Sequence, residues 1–202
     1  MQPVAHTLRR AFSLLLGLFL FGIGISLMVK AALGIPPWEV LAQGIALRTG
    51  IPFGLANNIL GLAVLLLWIP LRQKPGIGTI ANALLVGPSA QLGLFLLPVP
   101  GTLPLQILVF ATGMIILAIG TALYIGAQYG PGPRDGLMTG LHARTSRPIW
   151  QVRGSIELVV MGFGWSLGGD VGWGTLLFAA GIGPLCGVTL PLLAPHMYRR
   201  KS

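Results

Sequence analysis

Gly34-Ile35-Pro36-Pro37-Trp38-Glu39 and Gly130-Pro131-Gly132-Pro133-Arg134-Asp135 stand 96 residues apart and follow one pattern. Each has glycine in a loop, proline where a helix would begin and an acid in the first turn, where the positive end of the helix dipole favours it. The segments that follow, 37–49 and 133–145, both end in Arg-Thr, at Arg48-Thr49 and Arg144-Thr145. At about 1.5 Å per residue, such a helix reaches only part of the way across a hydrocarbon core of roughly 30 Å. Two short half-helices are predicted.

The same offset holds outward from these stretches. Gly44, Pro52, Gly76, Gly78, Thr79, Gly87 and Pro88 match Gly140, Pro148, Gly172, Gly174, Thr175, Gly183 and Pro184. On the other side Gly17, Gly24 and Leu27 match Gly113, Gly120 and Leu123. An Arg-Thr pair and a Gly-x-Gly-Thr in a single register define an internal duplication. The two copies are expected over 1–98 and 99–202 of one membrane domain.

The composition says where the duplication resides. The chain has 202 residues, 54% of them hydrophobic and 8% charged, with a mean hydropathy of +0.83. Soluble domains carry about a quarter of their residues as Asp, Glu, Lys and Arg. The expected fold is therefore an all-α integral membrane protein. Six long apolar runs, at about 12–30, 53–71, 77–97, 104–127, 152–168 and 173–194, provide six transmembrane helices around the two re-entrant half-helices. The first run follows Arg9 and Arg10 in the manner of a secretory signal. Its match in the second copy argues that it is kept.

Charge sets the sidedness. With six spans, Arg9, Arg10, Arg72, Lys74, Arg134, Arg144, Arg147, Arg153, Arg199, Arg200 and Lys201 fall on the cytoplasmic side, and only Lys30 and Arg48 outside. Eight full crossings would give nine inside and four outside, with Arg72 and Lys74 on the wrong face. The six-span topology is preferred, with both termini cytoplasmic. Each copy then contains three crossings, so the second enters the membrane from the opposite face. Equivalent loops carry opposite bias, Arg72 and Lys74 against Gly168 and Asp170, and Ile51 and Asn57 against Arg147 and Arg153. This is the pattern of inverted-topology repeats, whose functional site lies near the midplane between copies.

Other classes find no support. The net charge of +9 is spread over the ends of apolar runs, which points to orientation in the lipid bilayer and not to nucleic acid. Cys186 is a single cysteine, and His6, His142 and His196 are scattered, so no metal site or cofactor is expected. With no nucleophile and base set, an enzyme is not expected either.

The candidate substrate-binding or gating residues are Glu39, Asp135, Arg134, Arg48, Arg144, Glu157, Arg153 and Asn57. Glu39 and Asp135 either cap their own half-helices or face a solute. Arg48 and Arg144 either cap the helix ends or act as a gate, paired with Glu39 or Asp135. Arg153 and Glu157 stand i,i+4 on one helix face, where they can pair, and ionisable groups inside a membrane are site candidates by default. Asn57, Asn58, Asn82 and Gln91 are expected to bond between helices, Thr79 and Thr175 to be N-caps, and Trp68, Trp150, Trp165 and Trp173 to form an aromatic belt.

The stretches Lys74-Pro75-Gly76-Ile77-Gly78-Thr79, Gly130 to Met138, Arg153 with Glu157, and Gly172-Trp173-Gly174-Thr175 through Gly183-Pro184 carry a resemblance. The chain resembles the YczE/YyaS/YitT family of bacterial multipass membrane proteins, in its YczE-like branch. The resemblance implies the bacterial plasma membrane and supplies neither a substrate nor a functional residue. The expected activity is that of a small secondary transporter or channel for a small polar solute. The alternative is a non-transporting accessory or regulatory protein that acts through a protein partner. The many glycines also leave room for a homodimer.

Overall fold

A computed structural model of the chain describes residues 2–195. Regular structure among them is helical throughout: α1 (Gln2–Ala31), α2 (Pro37–Thr49), α3 (Phe53–Leu66), α4 (Trp68–Leu71), α5 (Ile77–Leu96), α6 (Leu103–Gly126), α7 (Pro133–Thr145), α8 (Ile149–Ser166) and α9 (Trp173–Leu193). His196, Arg199, Arg200 and Lys201, used above in the metal and charge arguments, lie outside the described residues.

The short segments are helices of 13 residues with the expected bounds. Proline fixes each start, and each end is a residue in the left-handed region, Gly50 at φ 73° and Ser146 at φ 54°. The expected run 53–71 is two elements, α3 and α4. Pro70 has no N–H to offer the Leu66 carbonyl, and the helix breaks at Leu67.

Five stretches among the described residues are long and apolar enough to cross a membrane: His6–Ala31, Phe53–Leu71, Ile77–Leu96, Leu103–Gly126 and Trp173–Leu193. The helix of the expected sixth run, α8, is 18 residues long and carries Arg153 and Glu157. Large apolar side chains such as Phe12, Phe95, Leu108, Phe163 and Leu192 point outward. An apolar exterior of this extent is the surface of a membrane protein.

At the centre α1 and α6 cross antiparallel. Gly17 lies against Gly120 and Gly24 against Gly113, so closely that a Cβ on Gly24 would stand 2.8 Å from the Gly113 carbonyl oxygen. Small residues allow this backbone approach, and Leu18, Ile25, Leu117 and Ala118 fill the space around it. Gly17 is equivalent to Gly113 and Gly24 to Gly120, so the crossing maps onto itself under the 96-residue offset. Outside this pair, α5 packs on α1 and α9 on α6. Each short helix packs on helices of both halves: α2 on α8 and α3, and α7 on α3, α4 and α8.

Backbone conformation repeats in the same register. Positive φ occurs at Ala32, Gly34, Gly50 and Arg72, and again at Gln128, Gly130, Ser146 and Gly168. Each residue of the first set lies 96 positions before one of the second. The chain reverses direction at equivalent points in both halves.

The tryptophans divide. Trp150, Trp165 and Trp173 are exposed, as interfacial anchors would be, but Trp68 is buried. Its indole lies against Gly136, and Nε1–H donates to the Pro133 carbonyl at 2.9 Å. Trp68 is therefore a brace beneath the start of α7 and not part of a belt.

Candidate functional site

Each Gly-x-Gly-Thr turn holds the loop that opens the other half's short helix. Thr79 Oγ1 donates to the Pro131 carbonyl at 2.7 Å, and Thr175 Oγ1 donates to the Ile35 carbonyl at 2.8 Å. Gly78 N–H donates to the Tyr129 carbonyl at 2.8 Å, and Gly174 N–H to the Leu33 carbonyl at 2.6 Å. These bonds form two offset-related pairs. The threonines are not the N-caps: Gly76 and Gly172 are, and their N–H groups donate back to Thr79 and Thr175 Oγ1 at 3.1 and 3.2 Å. The hydroxyl thus serves its own turn and the opposite half together.

This cross-clasp brings the starts of α2 and α7 to one cavity of about 150 Å³. Glu39, Asn57, Arg134, Asp135, Arg153 and Glu157 all line it. Arg134 forks between the halves, Nη1 to Glu39 Oε1 at 2.6 Å and Nη2 to Asn57 Oδ1 at 2.8 Å, while its guanidinium carbon lies 5.2 Å from the Trp38 ring centroid. Glu39 is 2% exposed, and Arg134 is the cation that pairs with it. Tyr124 Oη–H donates to Asp135 Oδ2 at 2.6 Å. Neither short helix has a side-chain cap at its start. Both acids are directed to groups from elsewhere in the fold instead of to their own helix ends.

Arg153 and Glu157 pair on α8, Nε to Oε1 at 2.8 Å, and also line the cavity. The arginines at the far ends of the short helices are elsewhere. Arg48 is exposed, and Arg144 donates to the Pro70 carbonyl at 2.6 Å on an exposed turn. Neither pairs with Glu39, whose partner is Arg134, or lines the cavity.

The walls differ. On the α3–α5 side, Asn58 Nδ2 donates to the Leu84 carbonyl and Oδ1 accepts from Gly87 N–H, while Gln91 Oε1 accepts from Gly54 N–H, at 2.9, 3.0 and 3.0 Å. The equivalents on α8 and α9 are Gly154 for Asn58, Gly187 for Gln91 and an outward-facing Trp150 for Gly54. Gly87 and Ala83 are buried, whereas Gly183 and Ala179 are exposed. A Cβ on Gly154, Gly183 or Gly187 would touch nothing within 4 Å. The cavity is sealed between α3 and α5, and its α8–α9 wall is open.

The sequence matches the profile of a family of unknown function, DUF6198, over residues 8–191. The chain belongs to this family. A Haemophilus influenzae protein described as uncharacterized is 39% identical over 186 residues, covering 91% of this chain and 85% of that protein. The uncharacterized membrane protein YczE of Bacillus subtilis is 33% identical over 177 residues, 87% of this chain and 82% of YczE. The uncharacterized protein YyaS of the same organism is 26% identical over 187 residues, 90% and 92% of the two chains. No solved structure matches. These relatives agree with the YczE-like resemblance read from the motifs and with membership of the membrane.

Within this DUF6198 chain, two site residues escaped the sequence reading. Tyr124 looks like one more apolar position in α6, and Trp38 like a half-helix core residue. The register carried a signal for Tyr124, since its equivalent in the first copy is the apolar Met28. A hydroxyl at that point breaks the repeat on the side where Asp135 stands.

Proposed function

We propose that this membrane protein is a small secondary transporter or channel for a small polar solute in the bacterial plasma membrane. In this reading six spans and two re-entrant half-helices form inverted halves, and both termini face the cytoplasm. One observation carries it: the starts of the short helices from both halves meet at a single cavity lined by Glu39, Arg134 and Asp135. Non-helical backbone at membrane depth is tolerated where it is buried in protein or lines a wet cavity, and transporters place substrate sites there. The unequal walls support a direction. In this reading the N-terminal end of α8 is cytoplasmic and that of α3 external, so the closed wall faces outward and the open one inward.

Flux from proteoliposomes across a panel of amines, amino acids, organic acids and sugars tests the activity. Uptake of at least one class, lowered tenfold or more by Glu39→Gln or Arg134→Gln, is expected. If nothing moves and the neutral variants keep the cellular phenotype, the accessory reading replaces this one. Sidedness is read separately with Thr49→Cys and Thr145→Cys in a Cys186→Ala background. Both positions are exposed helix ends, and impermeant thiol reagents are expected to label them from opposite faces. Labelling from one face would overturn the inverted arrangement.

A further inference from the structure

Resting on the transport reading above, we propose that the cavity takes a small organic ammonium ion that also carries an oxygen acceptor. Charge pairing decides the sign. Arg134 is matched by Glu39, and Arg153 by Glu157. Asp135 is left as the one acid lining the cavity with no cationic partner among the described residues, its carboxylate bonded to the neutral Tyr124 hydroxyl. The five charged groups around the cavity therefore leave one negative charge uncompensated. An anion would meet that carboxylate, and each guanidinium lining the cavity already faces a carboxylate of its own, Arg134 facing Glu39 and Arg153 facing Glu157. A cation would complete the pairing.

The surroundings specify an organic cation. Phe21, Tyr124 and Phe178 line the same cavity, with Phe21 and Tyr124 in an edge-to-face pair at 6.0 Å. Aromatic faces attract alkylated ammonium groups, whose charge is diffuse and weakly hydrated. The second recognition element is a donor. Trp38 is 6% exposed, lines the cavity, and its buried Nε1–H has no partner. Buried donors are normally satisfied, and one beside a cavity marks where an acceptor on the occupant would sit. The open α8–α9 wall gives such a molecule its way in.

The test uses the full-length protein in nanodiscs, with calorimetric titration of choline, ethanolamine and tetramethylammonium. The neutral choline isostere 3,3-dimethyl-1-butanol and acetate serve as controls. At least one ammonium probe is expected to bind tenfold or more tightly than either control. Asp135→Asn should remove that preference, and Trp38→Phe should weaken choline without changing tetramethylammonium, which has no oxygen. Equal binding of choline and its isostere to the wild type overturns the cation assignment without requiring any variant to fold. Tight acetate binding does the same and leaves the cavity as a solute site. Transport of a neutral or anionic solute with no ammonium binding also sinks the present inference but not the transport reading. Absence of binding by every probe together with absence of flux by every solute removes both.

Discussion

The Arg134 guanidinium at the start of α7 and the Glu39 carboxylate at the start of α2 meet at 2.6 Å, although they are 95 residues apart. A single ion pair thereby fastens the starts of the two short helices to one another. Trp38, the offset equivalent of Arg134, is not a second cation but the ring beneath the first. The two halves have become complementary at this point instead of identical.

Breaking this pair from the Glu39 side leaves Arg134, 21% exposed, without its counter-charge. Glu39→Gln is expected to destabilise the protein by about 1–3 kcal/mol, because the neutral amide can accept from Arg134 but no longer compensates its charge. Combining it with Arg134→Gln should recover part of the loss. Unfolding in bicelles of the two single variants and the double variant gives the coupling, and strictly additive losses would show that the pair is not coupled.

The Arg153 and Glu157 pair should behave differently. Arg153 is 46% exposed, and i,i+4 pairs in such settings contribute about 0.3–0.5 kcal/mol. Arg153→Gln should therefore leave the unfolding midpoint nearly unchanged. A loss as large as that of Glu39→Gln would place the pair in a far more enclosed setting than the structure gives it.

The twin threonines offer a comparison within one chain. Thr175→Val orphans the carbonyl of buried Ile35, whereas Thr79→Val frees that of exposed Pro131. Leaving a buried acceptor unsatisfied costs about 1–3 kcal/mol. Thermal unfolding should show the greater loss for Thr175→Val, with serine restoring most of it at either position. The reverse order would count against the cross-clasp.

Glycines at the α1–α6 crossing and on the outer face of α8 should respond with opposite sign. Gly24→Ala places a methyl 2.8 Å from a backbone oxygen of α6 and should cost about 1–3 kcal/mol. Gly162→Ala meets nothing within 4 Å and should be neutral or stabilising by up to about 1 kcal/mol. Melting temperatures of the two variants in the same detergent decide it.

Much was fixed by local chemistry along the chain. Proline at the start and Arg-Thr at the end placed the short helices at 37–49 and 133–145, where the structure has them. The apolar runs placed most of the long helices to within a few residues, except that α1 begins at Gln2, about ten residues before its run, and Pro70 divides the second run. The same offset relates the four pairs of positive-φ positions in the structure, of which Gly34 and Gly130 belong to the two motifs read from the sequence.

The partners were decided by the fold. Nothing in the spacing of Glu39 and Asp135 tells which of them pairs with arginine and which with a tyrosine, since both sit in the same place in their helices. That choice depends on which wall each half-helix meets, and α2 and α7 each pack against the other half. For the same reason Trp68 could be taken for an interfacial anchor, and Arg48 and Arg144 for partners of the acids. Side chains projecting from a helix are oriented by the neighbours the fold brings to them: Arg134 of the other half for Glu39, and Tyr124 of α6 for Asp135. The 96-residue offset could be read from residues alone, whereas the cavity to which both short helices come required tertiary contact.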